Sequence, residues 1–107
     1  MVDSTAVELA PRPGGGAVSL LSAVGDPVRW SVLERLADGP RCVCDLRAHV
    51  PVAPNLLSYH LKVLRDARLV TTSRRGRWVD YSLAEDAHER LVGALPTAGR
   101  VPLQEVS

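Results

Sequence analysis

Apolar residues recur at helical spacing along most of the chain. Val28, Val32, Leu33 and Leu36 follow Asp26-Pro27, an N-cap acid and a first-turn proline, and Gly39-Pro40 stops the run. An earlier helix is expected over residues 17–24, ended by Gly25. A short one follows over 43–49, with Leu46 and Val50 turned inward and Pro51 breaking it. Residues 54–65 form the clearest case, because Leu57, Leu61 and Leu64 stand at i, i+4 and i+7 and make one stripe. Asn55, Ser58, Tyr59 and Lys62 fall on the other face. His60 borders the stripe and reads as a packing or capping residue.

The period then changes. Leu69 to Thr72 and Trp78 to Leu83 are rich in strand-forming residues, and the segment between them, Ser73-Arg74-Arg75-Gly76-Arg77, carries a glycine. This is a hairpin with a basic tip. A last helix is expected over 85–95, ended by Pro96. The fold class is therefore mainly α with a small β-hairpin wing, a winged helix-turn-helix. Residues 1–16 and 97–107 lack periodicity and read as flexible arms around a domain spanning 17–96.

Composition adds limits. A chain of 107 residues makes one small domain, which a partner subunit would help to bury. Phe is absent, so Leu and Val must build the core. No apolar run is long enough to cross a membrane, and residues 1–16 lack the pattern of a secretory signal. The two cysteines stand two positions apart, which is no disulfide framework, and a reducing cytoplasmic setting is expected.

Charge is uneven. Between Arg41 and Asp80 eight basic residues face three acidic ones, while acids predominate in the flanks. Arg74, Arg75 and Arg77 crowd the hairpin tip and repel one another unless an anion is near. DNA phosphate is the expected anion, with Lys62 also within reach of a phosphate and Asn55, Ser58 and Tyr59 facing bases in the major groove.

Four stretches carry a resemblance: Asp26-Pro27-Val28-Arg29, Cys42-Val43-Cys44-Asp45-Leu46, the run from Leu57 to Leu64, and the run from Arg77 to Leu83. In this order they resemble the ArsR/SmtB family of bacterial metal-sensing repressors, over about residues 17–95. The resemblance implies a homodimer paired through its first and last helices and bound to inverted-repeat operator DNA. An inducer ion then releases the DNA. In the arsenic-responsive branch a Cys-Val-Cys-Asp-Leu stretch holds As(III) or Sb(III), so Cys42 and Cys44 are the expected ligands. No ion is expected to be needed for folding.

The chain departs from the family pattern in several places. Arg47 stands where a third cysteine often follows, and Arg41 replaces the acid usual before the first cysteine. Ala53 replaces the serine that usually opens the reading helix. Arg68 replaces the glycine of the following turn, where a left-handed backbone would be strained. Asp86 and His88 offer a weaker second site, resembling the Asp-x-His pair of zinc and nickel sensors without its later partners.

Geometry constrains the cysteine pair. Residues two apart on a regular helix diverge by about 200°, so both sulfurs can meet one ion only where the backbone is extended. Soft thiolates select thiophilic ions. Two other functions compete. One is a winged-helix regulator that senses no metal directly and responds to oxidation, to a partner protein, or to zinc or nickel elsewhere. The other is an enzyme with a cysteine nucleophile and His49 as base, but positions 44 and 49 do not face each other well on a helix and nothing suggests an oxyanion hole.

Overall fold

The computed structural model describes residues 16–97. The two arms fall outside this range, except that Gly16 opens the first helix instead of belonging to the arm and Thr97 follows the last. Five helices and three short strands follow in order: α1 (Gly16–Val24), α2 (Pro27–Leu36), β1 (Arg41–Cys42), α3 (Val43–His49), α4 (Pro54–Asp66), β2 (Val70–Arg75), β3 (Trp78–Leu83) and α5 (Ala87–Ala94). Helix α5 starts two residues later than the sequence pattern predicts, with Asp86 at its N-cap.

Local chemistry accounts for the boundaries. The Asp26 carboxylate accepts from the backbone of Val28 at 2.8 Å and of Arg29 at 3.1 Å, so α2 begins with two of its orphan donors satisfied. At α4 the Ala53 N-cap supplies no side-chain acceptor, and Pro54 in the first turn starts the helix instead. Helix α4 ends in a Schellman turn, in which Leu69 N–H donates to Leu64 O and Arg68 N–H to Arg65 O. That turn places Arg68 at φ +60, the left-handed conformation that suits glycine.

The sheet is larger than the expected hairpin. Strand β3 is central, with β2 on one side and β1 on the other. Strand β2 runs through Arg75, so the tip is only Gly76-Arg77, with Gly76 at φ +58. A glycine of positive φ at the first of two loop positions is the type II′ pattern, whose twist suits a tight hairpin. Arg41 pairs with Tyr81, and Cys42 with Asp80.

The core is aliphatic. Val32, Leu36, Leu46, Val50, Leu57, Leu61, Leu64 and Leu69 are buried, joined by Tyr81 of the sheet. Trp30 and Trp78 stay exposed, which leaves the core to aliphatic residues, as the absence of Phe predicts. Among the apolar residues of α1 and those on or beside α5, Val18, Val92 and Leu95 are more than half exposed, whereas Leu20, Leu21 and Leu91 are half-buried. Arg90 ties α5 to the end of α4, donating to Arg68 O at 2.6 Å and Ala67 O at 2.7 Å.

Arg68→Gly relieves the left-handed strain while leaving the backbone carbonyl that Arg90 uses. It should stabilise the fold by about 1 kcal/mol, a melting rise of roughly 5 °C in a domain this size. Thermal and urea unfolding of the two proteins check this. An unchanged midpoint would mean that the turn carries no strain.

Candidate nucleic-acid interface and cysteine pair

Helix α4 presents two chemically distinct faces because its leucines repeat every third or fourth position. Leu57, Leu61 and Leu64 are buried to 3% exposure or less. Asn55, Ser58, Tyr59 and Lys62 are exposed, as the pattern predicts. Leu56, which the pattern did not single out, is 48% exposed beside them, an apolar group on a polar face. Lys62 holds Asp66 at 2.8 Å one turn on, an exposed pair of the kind that opens at little cost. Lys62 also keeps the Asp66 carboxyl below its ordinary value.

The hairpin tip is basic but partly compensated. Arg75 and Asp80 form a two-pronged pair across the strands, with Nη2 at 3.0 Å from Oδ1. The Arg75 hydrogen bond holds the Asp80 carboxyl below its usual range. The expected crowding of three arginines is thus relieved in part by an acid of the chain itself. Arg74 and Arg77 are exposed and have no ion-pair partner among the described residues.

Cys42 and Cys44 are joined by a disulfide, with Cα atoms 5.3 Å apart. This corrects the expectation of two separate thiols. The physical reason lies in the backbone. Cys42 ends β1 in an extended conformation (φ −77, ψ 163), and Cys44 is in the first turn of α3, so the divergence of a regular helix does not arise. Cys42 is also the N-cap of α3, where its sulfur accepts from Asp45 N–H at 3.3 Å.

A polar cluster that the sequence did not reveal gathers on Asp45, one residue after Cys44. Arg35 grips the Asp45 carboxylate with two hydrogen bonds of 3.0 and 3.1 Å. Arg41 Nε is buried without a hydrogen-bond partner and stands 3.5 Å from Asp45 Oδ2. His49 Nδ1 lies 3.4 Å from Oδ1. The Arg35 hydrogen bond, and then the nearby positive charges, hold the Asp45 carboxyl below its ordinary value.

The weaker pair fares differently. Asp86 makes no side-chain cap and forms an ion pair with Arg90 at 3.7 Å, while His88 is exposed. Among the described residues no group of three or more His, Cys, Asp or Glu side chains is placed to hold a metal ion. As a donor set, Cys42 and Cys44 would suit a thiophilic ion only once reduced to thiolates, and then only as part of its coordination shell.

Residues 26–72, from the α2 cap into β2, match the model described as "Bacterial regulatory protein, arsR family". A solved structure described as a possible transcriptional regulator for arsenical resistance superimposes with a TM-score of 0.66 at 32% identity, covering 70% of this chain and 78% of the other. The chain belongs to the ArsR family.

This ArsR-family chain has the winged helix fold of its structural neighbours, which are described as transcriptional regulators. It is similar to the transcriptional repressor SmtB homolog of Synechocystis, 45% identical over 61% of this chain and 49% of that protein. It is also similar to the arsenical resistance operon repressor of Bacillus subtilis, 40% identical over 60% of this chain and 62% of that protein. The chain therefore spans less than two thirds of the length of either relative. No described helix is long and apolar enough to cross a membrane.

Asp45 generates a pH prediction. A depressed carboxyl stabilises the fold fully above its ordinary value of 3.8, and the contribution is lost as pH falls through the lower folded value. Asp45→Asn should be less stable than the parent at neutral pH, and the gap should close below about pH 4. Urea midpoints measured across pH check it. A gap independent of pH would assign the effect to packing instead of charge.

Proposed function

We propose that this chain is a DNA-binding repressor that a thiophilic ion releases from its operator, with arsenite or antimonite the first choice. Helix α4 enters the major groove with Asn55, Ser58 and Tyr59 toward base edges, and Lys62 reaches a phosphate once it leaves Asp66. Arg74 and Arg77 take phosphate or the adjacent minor groove, and Arg75 joins them when it leaves Asp80. The chain acts in the cytoplasm as a homodimer on an inverted repeat. The apolar surface at Val18, Val92 and Leu95 on and beside α1 and α5 supports that pairing.

One observation carries the inducer reading. Cys42 is at once the last residue of β1, the cap of α3 and the register partner of Asp80, which holds wing Arg75. An ion that drew both sulfurs into its shell would pull on the α3 cap and on the wing strand together. Ligation needs the two thiolates, so thiol–disulfide exchange with a cellular dithiol must first reduce the pair. A pyramidal As(III) centre takes its third ligand from solvent, a small thiol or another subunit. The arsenical repressor among the relatives supports this ion, and the SmtB relative keeps zinc as a competitor.

The disulfide itself favours a second reading, in which oxidation of the pair is the signal and no metal is sensed directly.

Release measured by fluorescence anisotropy separates the two readings. With a thiol reductant present, arsenite should release wild type from DNA, and Cys42→Ser/Cys44→Ser should bind equally well and stay bound. Coupling of about 1.4 kcal/mol suffices for a tenfold change. Release by peroxide but not by arsenite would establish the redox reading. Equal release of the double variant by arsenite would sink the thiolate model.

The wing gives an independent check through salt dependence. Arg74→Ala and Arg77→Ala should each flatten the plot of log K against log salt by about 0.9 unit for every phosphate that is no longer neutralised. Asp80→Asn frees Arg75 and should steepen the plot. Unchanged slopes in all three variants would remove the wing from the DNA interface.

A further inference from the structure

His60 is the only buried polar or charged side chain among the described residues, at 8% exposure, and it lies on the inner side of α4. Its Nδ1 stands 2.9 Å from Arg29 Nη1. A guanidinium keeps its proton and has no acceptor, so Nδ1 must be the bare, accepting nitrogen and the ring must be neutral. Arg29 uses its other nitrogens on the last turn of α1. Nε donates to Ala23 O at 2.7 Å and Nη2 to Ser22 O at 3.4 Å. One side chain of α2 thus joins the end of α1 to the middle of α4.

The apolar stripe under α4 does part of this work. Packing among Leu57, Leu61 and Leu64 sets which face of the helix turns inward, and a directional bond fixes its orientation more finely than non-directional apolar burial does. The Ala53 cap adds no side-chain bond at the N-terminus. The Arg29–His60 bond is directional and spans thirty-one positions of sequence.

We propose that Arg29 and His60 are positioning residues for base reading. Their bond sets the rotation of α4 against α1, and it holds only while His60 is neutral. The proposal rests on α4 being the reading helix. The charged groups facing the ring are Arg29 from α2 and Asp26 from the turn before it, whose Oδ1 lies 3.9 Å from Nδ1. On its own helix, Tyr59 meets the ring edge-on at 5.1 Å between centroids. A protonated ring has two N–H donors and no acceptor. It loses Arg29, which then repels it, and gains Asp26 as partner. Helix α4 is then released from α1, and sequence discrimination falls.

The test uses the full chain, with a duplex selected by wild type from a random pool and a scrambled duplex of equal length. The readout is the ratio of the two dissociation constants between about pH 5.5 and pH 8, the span over which histidines change charge. Wild type should lose about tenfold in discrimination at the acid end, or 1.4 kcal/mol. His60→Asn places an amide oxygen near the Nδ1 position and cannot be protonated, so it should match wild type at pH 8 and show a flat profile. His60→Leu should bind both duplexes almost alike at every pH while melting cooperatively. Should the leucine variant fail to fold, the asparagine variant and the pH profile still decide. Discrimination unchanged in His60→Leu, or an acid loss in His60→Asn equal to that of wild type, would overturn the proposal alone. Failure of wild type to select any duplex would overturn the reading-helix assignment together with it.

Discussion

Leu57, Leu61 and Leu64 of α4 share one buried cluster with Val32 and Leu36 of α2, Leu46 of α3 and Leu69 before the wing, and the rest of the domain is arranged around that packing. Burying a leucine is worth roughly 1.5–3 kcal/mol, so this stripe outweighs any single polar interaction on the surface. Helix α4 can carry asparagine, serine and lysine on its outer face because its inner face needs nothing from them. The chain lacks phenylalanine, and its two tryptophans stay outside. The core is accordingly a set of branched aliphatic side chains, which hold position by shape and give little directional control.

Directional control comes from arginines. Arg29 connects two helices through a histidine, Arg35 clamps Asp45 beside the cysteine pair, Arg75 crosses the hairpin to Asp80, and Arg90 seals α5 against the turn after α4. Each adds a directional bond between elements or strands that packing or pairing has already brought together. A planar guanidinium can serve two or three acceptors at fixed angles, which a lysine ammonium cannot. The domain thus divides its labour between non-directional packing and a few long, rigid donors.

Much of this could be read in the chain before its structure. Asp26-Pro27, Gly39-Pro40 and Pro51 punctuate helices by known backbone chemistry, and the period of the leucines gave α4 its two faces. The strain at Arg68 followed from a family pattern that prefers glycine there, and φ +60 bears it out. Strand β1 was not legible, because two residues have no period and its pairing with β3 crosses nearly forty positions. The Arg35–Asp45 clamp and the Arg29–His60 bond escaped for the same reason: their partners meet only after the helices pack. The cysteine pair was half legible. Spacing showed that an extended backbone was needed for the sulfurs to meet, but not that they would be joined to each other.

The sheet order leaves β2 on an outside edge, with all of its residues after Val70 exposed. A strand so placed offers a row of unpaired N–H and C=O groups to any other extended chain, its own copies included. Thr71, Thr72 and Ser73 would do nothing to prevent such stacking, whereas the charge of Arg74, unpaired among the described residues, would oppose a like neighbour near the end of the strand. Positive charge at the end of this edge would therefore disfavour its pairing with the same edge of a second copy.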